Sequence, residues 1–120
     1  MNQHVLFVDD EVPVRETLSI YFKMKGIAVT SADNGADALR FAGETPFSLV
    51  ILDVDLGGEN GLDVLSKFKS AHPELPVVMF TSLGNDPDLQ AQARANGADG
   101  FLSKTESLDT LLKEVQRLVA

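Results

Sequence analysis

Five short runs rich in β-branched and apolar residues recur along the chain: VLFV (5–8), IAVTSA (27–32), SLVIL (48–52), PVVMF (76–80) and GFLS (100–103). Their length and composition predict five strands. Between them the apolar positions recur at helical spacing. Val14, Leu18 and Phe22 fall at i, i+4 and i+8 after Pro13, which suits the first turn of a helix, and Gly26 supplies a stop. A second, alanine-rich helix follows Asn34-Gly35 and turns Ala38, Leu39 and Ala42 inward. A third runs from about Leu62 to His72, with Val64, Leu65, Phe68 and Ala71 inward and Pro73 behind it. Asp86-Pro87 opens a fourth, and Asn96-Gly97 closes it. The last has the clearest face: from Ser107 onward, Leu108, Leu111, Leu112, Val115, Leu118 and Val119 hold one side.

Regular alternation of strand and helix predicts an α/β fold, with helices covering both faces of a parallel sheet. VLFV, SLVIL and PVVMF are almost wholly apolar, as central parallel strands are, whereas IAVTSA mixes in polar residues and reads as an edge. The fourth helix offers only Leu89 and small alanines for burial, which predicts weak anchoring. The chain contains no repeat, linker or low-complexity tract.

A length of 120 residues with 44% apolar content suits one domain over 1–120 with one core. The absence of cysteine excludes disulfides and thiolate metal ligands and favours a reducing compartment. Met1-Asn2-Gln3-His4 has no basic segment ahead of an apolar one, and no apolar run approaches the ~18 residues of a membrane span. A cytoplasmic location, with no membrane attachment, is expected. The formal net charge of −8 argues against direct nucleic-acid binding, which rests on Lys and Arg neutralising phosphates, and favours divalent cations or a basic protein surface.

In an open parallel sheet, ligands bind beyond the carboxyl ends of the strands. Those ends carry Asp9-Asp10, Asp53 with Asp55 two residues on, Thr81-Ser82, and Lys104. Glu11 is expected to serve the first turn of the following helix, where acids offset the helix dipole. Adjacent Asp9 and Asp10 fit that role less well, because neighbouring carboxylates repel and Asn or Ser caps a helix without that cost. Three converging carboxylates suit Mg²⁺, which takes carboxylate oxygens and keeps waters and phosphate oxygens as its other ligands. A nearby hydroxyl and ammonium suit phosphoryl oxygens.

With DD at 9–10, VILD ending at Asp53, FTS at 80–82 and SK at 103–104, in that order, the chain resembles a receiver domain of two-component response regulators from the first strand to the last helix. The resemblance implies a flavodoxin-like, doubly wound sheet of five parallel strands in the order 2-1-3-4-5 with five helices. It implies that Asp53 is the phosphoacceptor and that Asp9 and Asp10 bind Mg²⁺ together with Asp53 and the backbone carbonyl of Asp55. Thr81 would contact the phosphoryl group, and Lys104 would be its counter-cation. The implied partners are a sensor histidine kinase or phosphotransfer protein as donor and a downstream effector domain or protein as target. A phosphorylation-dependent dimer is compatible with this. Such a domain catalyses its own phosphorylation and dephosphorylation without being an enzyme, and the small Ser82 would leave the acyl phosphate open to water. On phosphorylation, Thr81 would move toward the phosphoryl group and Phe101 would rotate into the space it leaves, changing the surface of the fourth helix, fifth strand and fifth helix. Phe101 also reads as an ordinary half-buried strand aromatic.

Three features depart from the family pattern. Thr105 follows Lys104 where receivers commonly have a proline after a cis peptide; a non-proline cis bond costs ~2.5–4 kcal/mol, and the sequence leaves cis and trans open. Leu56-Gly57-Gly58 stands where receivers often have Met-Pro and predicts a more flexible approach to the site. Asp55 adds an acid beside Asp53. Two other readings compete. VILDVDLGG also resembles the nucleophile and acid/base of haloacid-dehalogenase-like phosphatases, which would use Asp53 and Asp55, although there the Asp-x-Asp lies on the first strand and the acidic pair comes last. The other is a receiver-like binding module that is not phosphorylated. His4 and His72 fall away from the acids, and the end at Ala120 fits both a stand-alone receiver and part of a longer regulator.

Overall fold

The computed structural model describes residues 3–119. The signal-free reading of Met1-Asn2, and the outer ends of the expected 1–120 unit, lie outside the described residues. The elements run β1 (His4–Val8), α1 (Val12–Met24), β2 (Ala28–Ala32), α2 (Gly35–Glu44), β3 (Leu49–Leu52), β4 (Asp55–Leu56), β5 (Glu59–Asn60), α3 (Gly61–Ala71), β6 (Val77–Thr81), α4 (Pro87–Ala95), β7 (Gly100–Ser103) and α5 (Leu108–Val119). Five strands form one parallel sheet in the order β2-β1-β3-β6-β7. With β6 and β7 as its fourth and fifth members, this is the expected 2-1-3-4-5 order. The short strands β4 and β5 pair antiparallel as a separate hairpin.

Successive strand residues point to opposite faces, so each apolar strand serves two cores. On one face Leu6, Val8, Val50, Leu52, Val77 and Met79 meet Ala38 of α2, Leu65 and Phe68 of α3 and Ala93 of α4. On the other, Val5, Phe7, Leu49, Ile51, Val78 and Phe80 meet Leu18 and Phe22 of α1 and Leu111 and Val115 of α5. Strand β2 is an edge, with Ala28 exposed and Val29, Thr30 and Ser31 half-buried. Helix α4 fully buries only Ala93, with Leu89 half-buried against the core.

Local end signals place the helices. Gly26, at φ +80°, ends α1 while the Ile27 N–H donates to the Phe22 carbonyl at 2.9 Å. Asn34 accepts the Asp37 N–H at 2.8 Å, Asn60 the Leu62 N–H at 2.9 Å and Asp86 the Asp88 N–H at 3.0 Å, so α2, α3 and α4 begin on side-chain caps. Ser107 does the same for α5 through the Thr110 N–H at 3.1 Å.

Three sequence expectations are corrected or settled. Ala71 is exposed, because it is the last residue of α3, where the chain turns away through His72-Pro73. Gly57 and Gly58 do not make a loose loop: their φ values of +63° and +97° form the two-residue turn between β4 and β5, the backbone hand that matches strand twist in a hairpin. No cis peptide bond occurs among the described residues, so Lys104–Thr105 is trans.

Candidate functional site

The strand ladders run on past the strand ends and draw the polar residues together. Asp9 N–H donates to the Ala32 carbonyl, Asp53 N–H to Val8 and Lys104 N–H to Thr81, at 3.1, 3.1 and 2.9 Å. Asp9 and Asp53 are thereby seated side by side and buried, at 0% and 3% exposure. Lys104 reaches over from the end of β7: its Nζ lies 2.6 Å from Asp9 Oδ2, 2.7 Å from Asp53 Oδ2 and 3.3 Å from Glu11 Oε1. The contact to Asp53 is a hydrogen bond. The contact to Asp9 is a buried ion pair, with Oδ2 held directly against the ammonium.

Burial pushes the Asp9 carboxyl above its ordinary range, against the lowering effect of Lys104 and of the Glu11 N–H that Asp9 Oδ1 accepts at 2.9 Å. Burial by itself would pull the Lys104 ammonium down, but its contacts with Asp53 and Asp9 outweigh that and hold its pKa above the usual lysine value. Lys104 is thus a permanent cation in this setting.

Carboxylate oxygens of Asp9, Asp10, Glu11 and Asp53 all lie within 4.8 Å of one another. Four carboxylates face one ammonium there. All four are hard oxygen donors whose like charges a single ammonium leaves under-compensated, and this set fits a divalent cation of the Mg²⁺ or Ca²⁺ kind. Asp55 stands at the rim with its side chain exposed, and its N–H donates to Asp53 Oδ1 at 3.3 Å. Thr81 is fully buried, and its hydroxyl accepts the Leu83 N–H at 3.3 Å instead of touching Asp53. Phe101 is 7% exposed and packs in the core beneath α4, more deeply than a half-buried edge aromatic.

The sequence from residue 5 to residue 116 matches the family model for the response regulator receiver domain. The chain belongs to that family. Receiver domains of response regulators are signalling proteins, and this one is similar to the probable transcriptional regulatory protein TcrX of Mycobacterium tuberculosis, 34% identical over 96% of this chain and 49% of that protein. The receiver spans about half the length of the curated relatives it matches. Among solved structures it resembles the chemotaxis response regulator CheY4 of Vibrio cholerae, with 30% identity, a TM-score of 0.91 and coverage of 98% and 99% of the two chains. A response regulator from Burkholderia pseudomallei, solved with a phosphorylated aspartic acid, calcium ion and citrate, shares 26% identity at a TM-score of 0.89, covering 98% of the receiver and 69% of that chain. In the receiver, Asp53-x-Asp55 follows the third strand and the acidic pair the first, the reverse of the phosphatase order.

Three supporting groups stand outside the site residues expected from the receiver's sequence. Glu11 makes no side-chain cap to α1: Pro13, in the first turn, has no N–H to offer, and the Glu11 carboxylate turns to Lys104 while its own N–H donates to Asp9 Oδ1. Arg15 donates from Nη1 to the Asp9 carbonyl at 2.6 Å and clamps the acidic turn one helical turn downstream. Ser103 and Thr105 join hydroxyls at 2.8 Å, and the Thr105 N–H donates to Ser103 Oγ at 3.2 Å, closing the loop that carries Lys104. That short-range hydroxyl turn was readable from Ser-x-Thr; the other two contacts depend on side-chain reach. No helix of the described residues is long and apolar enough to cross a membrane.

Proposed function

We propose that residues 1–120 act as one phosphorylation-controlled switch in the cytoplasm, with Asp53 as phosphoacceptor. The observation that carries this reading is the buried Asp53 carboxylate, its Oδ2 hydrogen-bonded to Lys104 at 2.7 Å and an oxygen of it set within 4.8 Å of those of Asp9, Asp10 and Glu11. In the transfer, an Asp53 carboxylate oxygen forms the new P–O bond as the donor's P–N bond breaks and the imidazole nitrogen keeps the electron pair. Lys104 stabilises charge on the phosphoryl oxygens, and Thr81, freed from the Leu83 N–H, turns its hydroxyl to the same group. Asp9, Asp10, Asp53 and the Asp55 carbonyl would hold Mg²⁺, which supplies charge neutralisation to the phosphoryl oxygens when bound. Hydrolysis by a water in line with the P–O bond releases inorganic phosphate and restores the carboxylate.

The donor is a sensor histidine kinase or phosphotransfer protein. Helix α1 starts beside the site at Val12 and offers a surface for it along its length, where Val12, Ile20 and Met24 are exposed at 51%, 61% and 78%. The output is a change in the α4, β7 and α5 surface, read by an effector domain or protein; Phe101 moves toward the place that Thr81 leaves, and the weak hold on α4 lets the surface follow. Incubation with acetyl phosphate, with and without Mg²⁺, tests the reading by intact mass. The unmodified chain gains one phosphoryl group only with Mg²⁺, and Asp53→Asn gains none. Equal labelling of both, or labelling of neither, would overturn the assignment, and the second result would favour a non-phosphorylated binding module.

A further inference from the structure

The carboxylate of Glu59 stands outside the acidic cluster and reaches a different element. Its Oε1 accepts the N–H of Gly35, the first residue of α2, at 2.8 Å. A negative charge is favoured there by the helix dipole, and Asn34 already serves another of the free first-turn amides, that of Asp37. The seat is closely fitted: a Cβ on Gly35 would lie 2.8 Å from Glu59 Oε2 and 2.6 Å from Val64 Cγ2. Glu59 also belongs to the hairpin, pairing with Leu56 while Asp55 pairs with Asn60. The hairpin's turn lies close against Asp10, since a Cβ built on Gly57 would be 3.0 Å from Asp10 Oδ2. Its first strand donates the Asp55 N–H to Asp53 Oδ1. One small hairpin therefore touches α2, Asp10 and Asp53 at once.

We infer that Glu59 is a positioning residue for the phosphorylation site: by gripping the start of α2 it sets where the hairpin presents Asp55 and Gly57 to Asp53 and Asp10. The inference rests on the reading of Asp53 and Asp10 given under Proposed function. Glu59 touches neither the metal ligands nor the phosphoacceptor, so its effect must travel through the β4–β5 pairing. Outer supports of this kind tune metal affinity through the geometry of the ligands they hold.

Titration of the ¹⁵N-labelled chain with Mg²⁺, followed at the Asp55 and Gly57 amides, tests this without any turnover. Glu59→Ala binds Mg²⁺ about 10-fold more weakly, the scale on which outer supports act. Glu59→Gln, whose amide oxygen still accepts the Gly35 N–H, stays near the unmodified chain. Gly35→Ala wedges the same contact from the other side and weakens Mg²⁺ binding as Glu59→Ala does, which keeps the test open where one variant does not fold. A Glu59→Ala chain that melts earlier yet binds Mg²⁺ as the unmodified chain does would overturn the inference alone, as would Glu59→Gln binding as weakly as Glu59→Ala. An unmodified chain whose amides do not respond to Mg²⁺ would overturn the proposed function and this inference together.

Discussion

Tyr21, the single tyrosine, donates its phenol proton to Asp109 Oδ1 and so joins α1 to α5 on the outside of the molecule. Losing that proton would set a phenolate against a carboxylate, and the contact pushes the phenol pKa up from 10.0 to about 12. Because the folded value is the higher one, the stability this pair contributes is complete below pH 10 and is lost as pH rises through about 12. Titration of phenolate absorbance should therefore give a midpoint near 12 in the unmodified chain and one near the ordinary 10 in Asp109→Ala; equal midpoints would remove the contact. At this scale the sequence was legible where chemistry forces a residue type. Asp9, Asp10, Asp53 and Lys104 announce themselves as unlike charges at strand ends, and the structure brings all four together. Glu11 and Glu59 do not, because each has an ordinary local use as a helix-end or turn acid and acquires its partner only through tertiary contact.

Helices α4 and α5 differ in what holds them. Leu111 of α5 is fully buried among Val5, Phe7 and Val78, whereas the largest apolar side chain of α4, Leu89, is half-buried. Leu111→Ala should cost about 2–5 kcal/mol of unfolding free energy, the usual range for deleting a buried leucine side chain. Leu89→Ala should cost about 1 kcal/mol, in keeping with partial burial of the same group. Urea unfolding followed by circular dichroism separates the two, and equal losses would refute weak anchoring of α4. Periodicity made α5 legible, end signals marked α4, and apolar, β-branched composition over four or five residues marked the five long strands. The β4–β5 hairpin was missed for the opposite reason: strands of two residues show no period, and Gly57-Gly58 was weighed as freedom when its flanking pairing makes it a turn.

Across the whole molecule, charge is concentrated where the fold can least disperse it. The chain carries a formal −8, and at the carboxyl edge of the sheet three of the four clustered carboxylates, Asp9, Glu11 and Asp53, share the Lys104 ammonium. A bound divalent cation stabilises only the folded arrangement of these acids, so Mg²⁺ at 100 times its dissociation constant should raise stability by about 2.7 kcal/mol. Asp9→Asn should abolish most of that gain while raising the stability of the metal-free chain at neutral pH, since it removes a buried charge whose carboxyl is already driven toward its neutral form. Thermal melts of both chains with Mg²⁺ and with chelator measure this directly; an undiminished Mg²⁺ gain in Asp9→Asn would place the cation elsewhere. The α/β class was legible from alternating strands and helices, and the strand order through the family resemblance, while the depth of Asp9 and Phe101 was not, since burial is decided by which helices lie over each strand end.

The span of Lys104 has a mechanical side. It leaves β7, at one edge of the sheet, and its side chain passes over the end of β6 to reach Asp53 beyond β3 and Asp9 beyond β1. It works as a stay rope across the top of four strands, made fast at the middle by two acids and at the edge by the backbone of the strand that faces α4 and α5. Were the Asp53 end released or drawn in, that edge strand would feel it, since a single four-carbon stem joins the centre of the sheet to its rim.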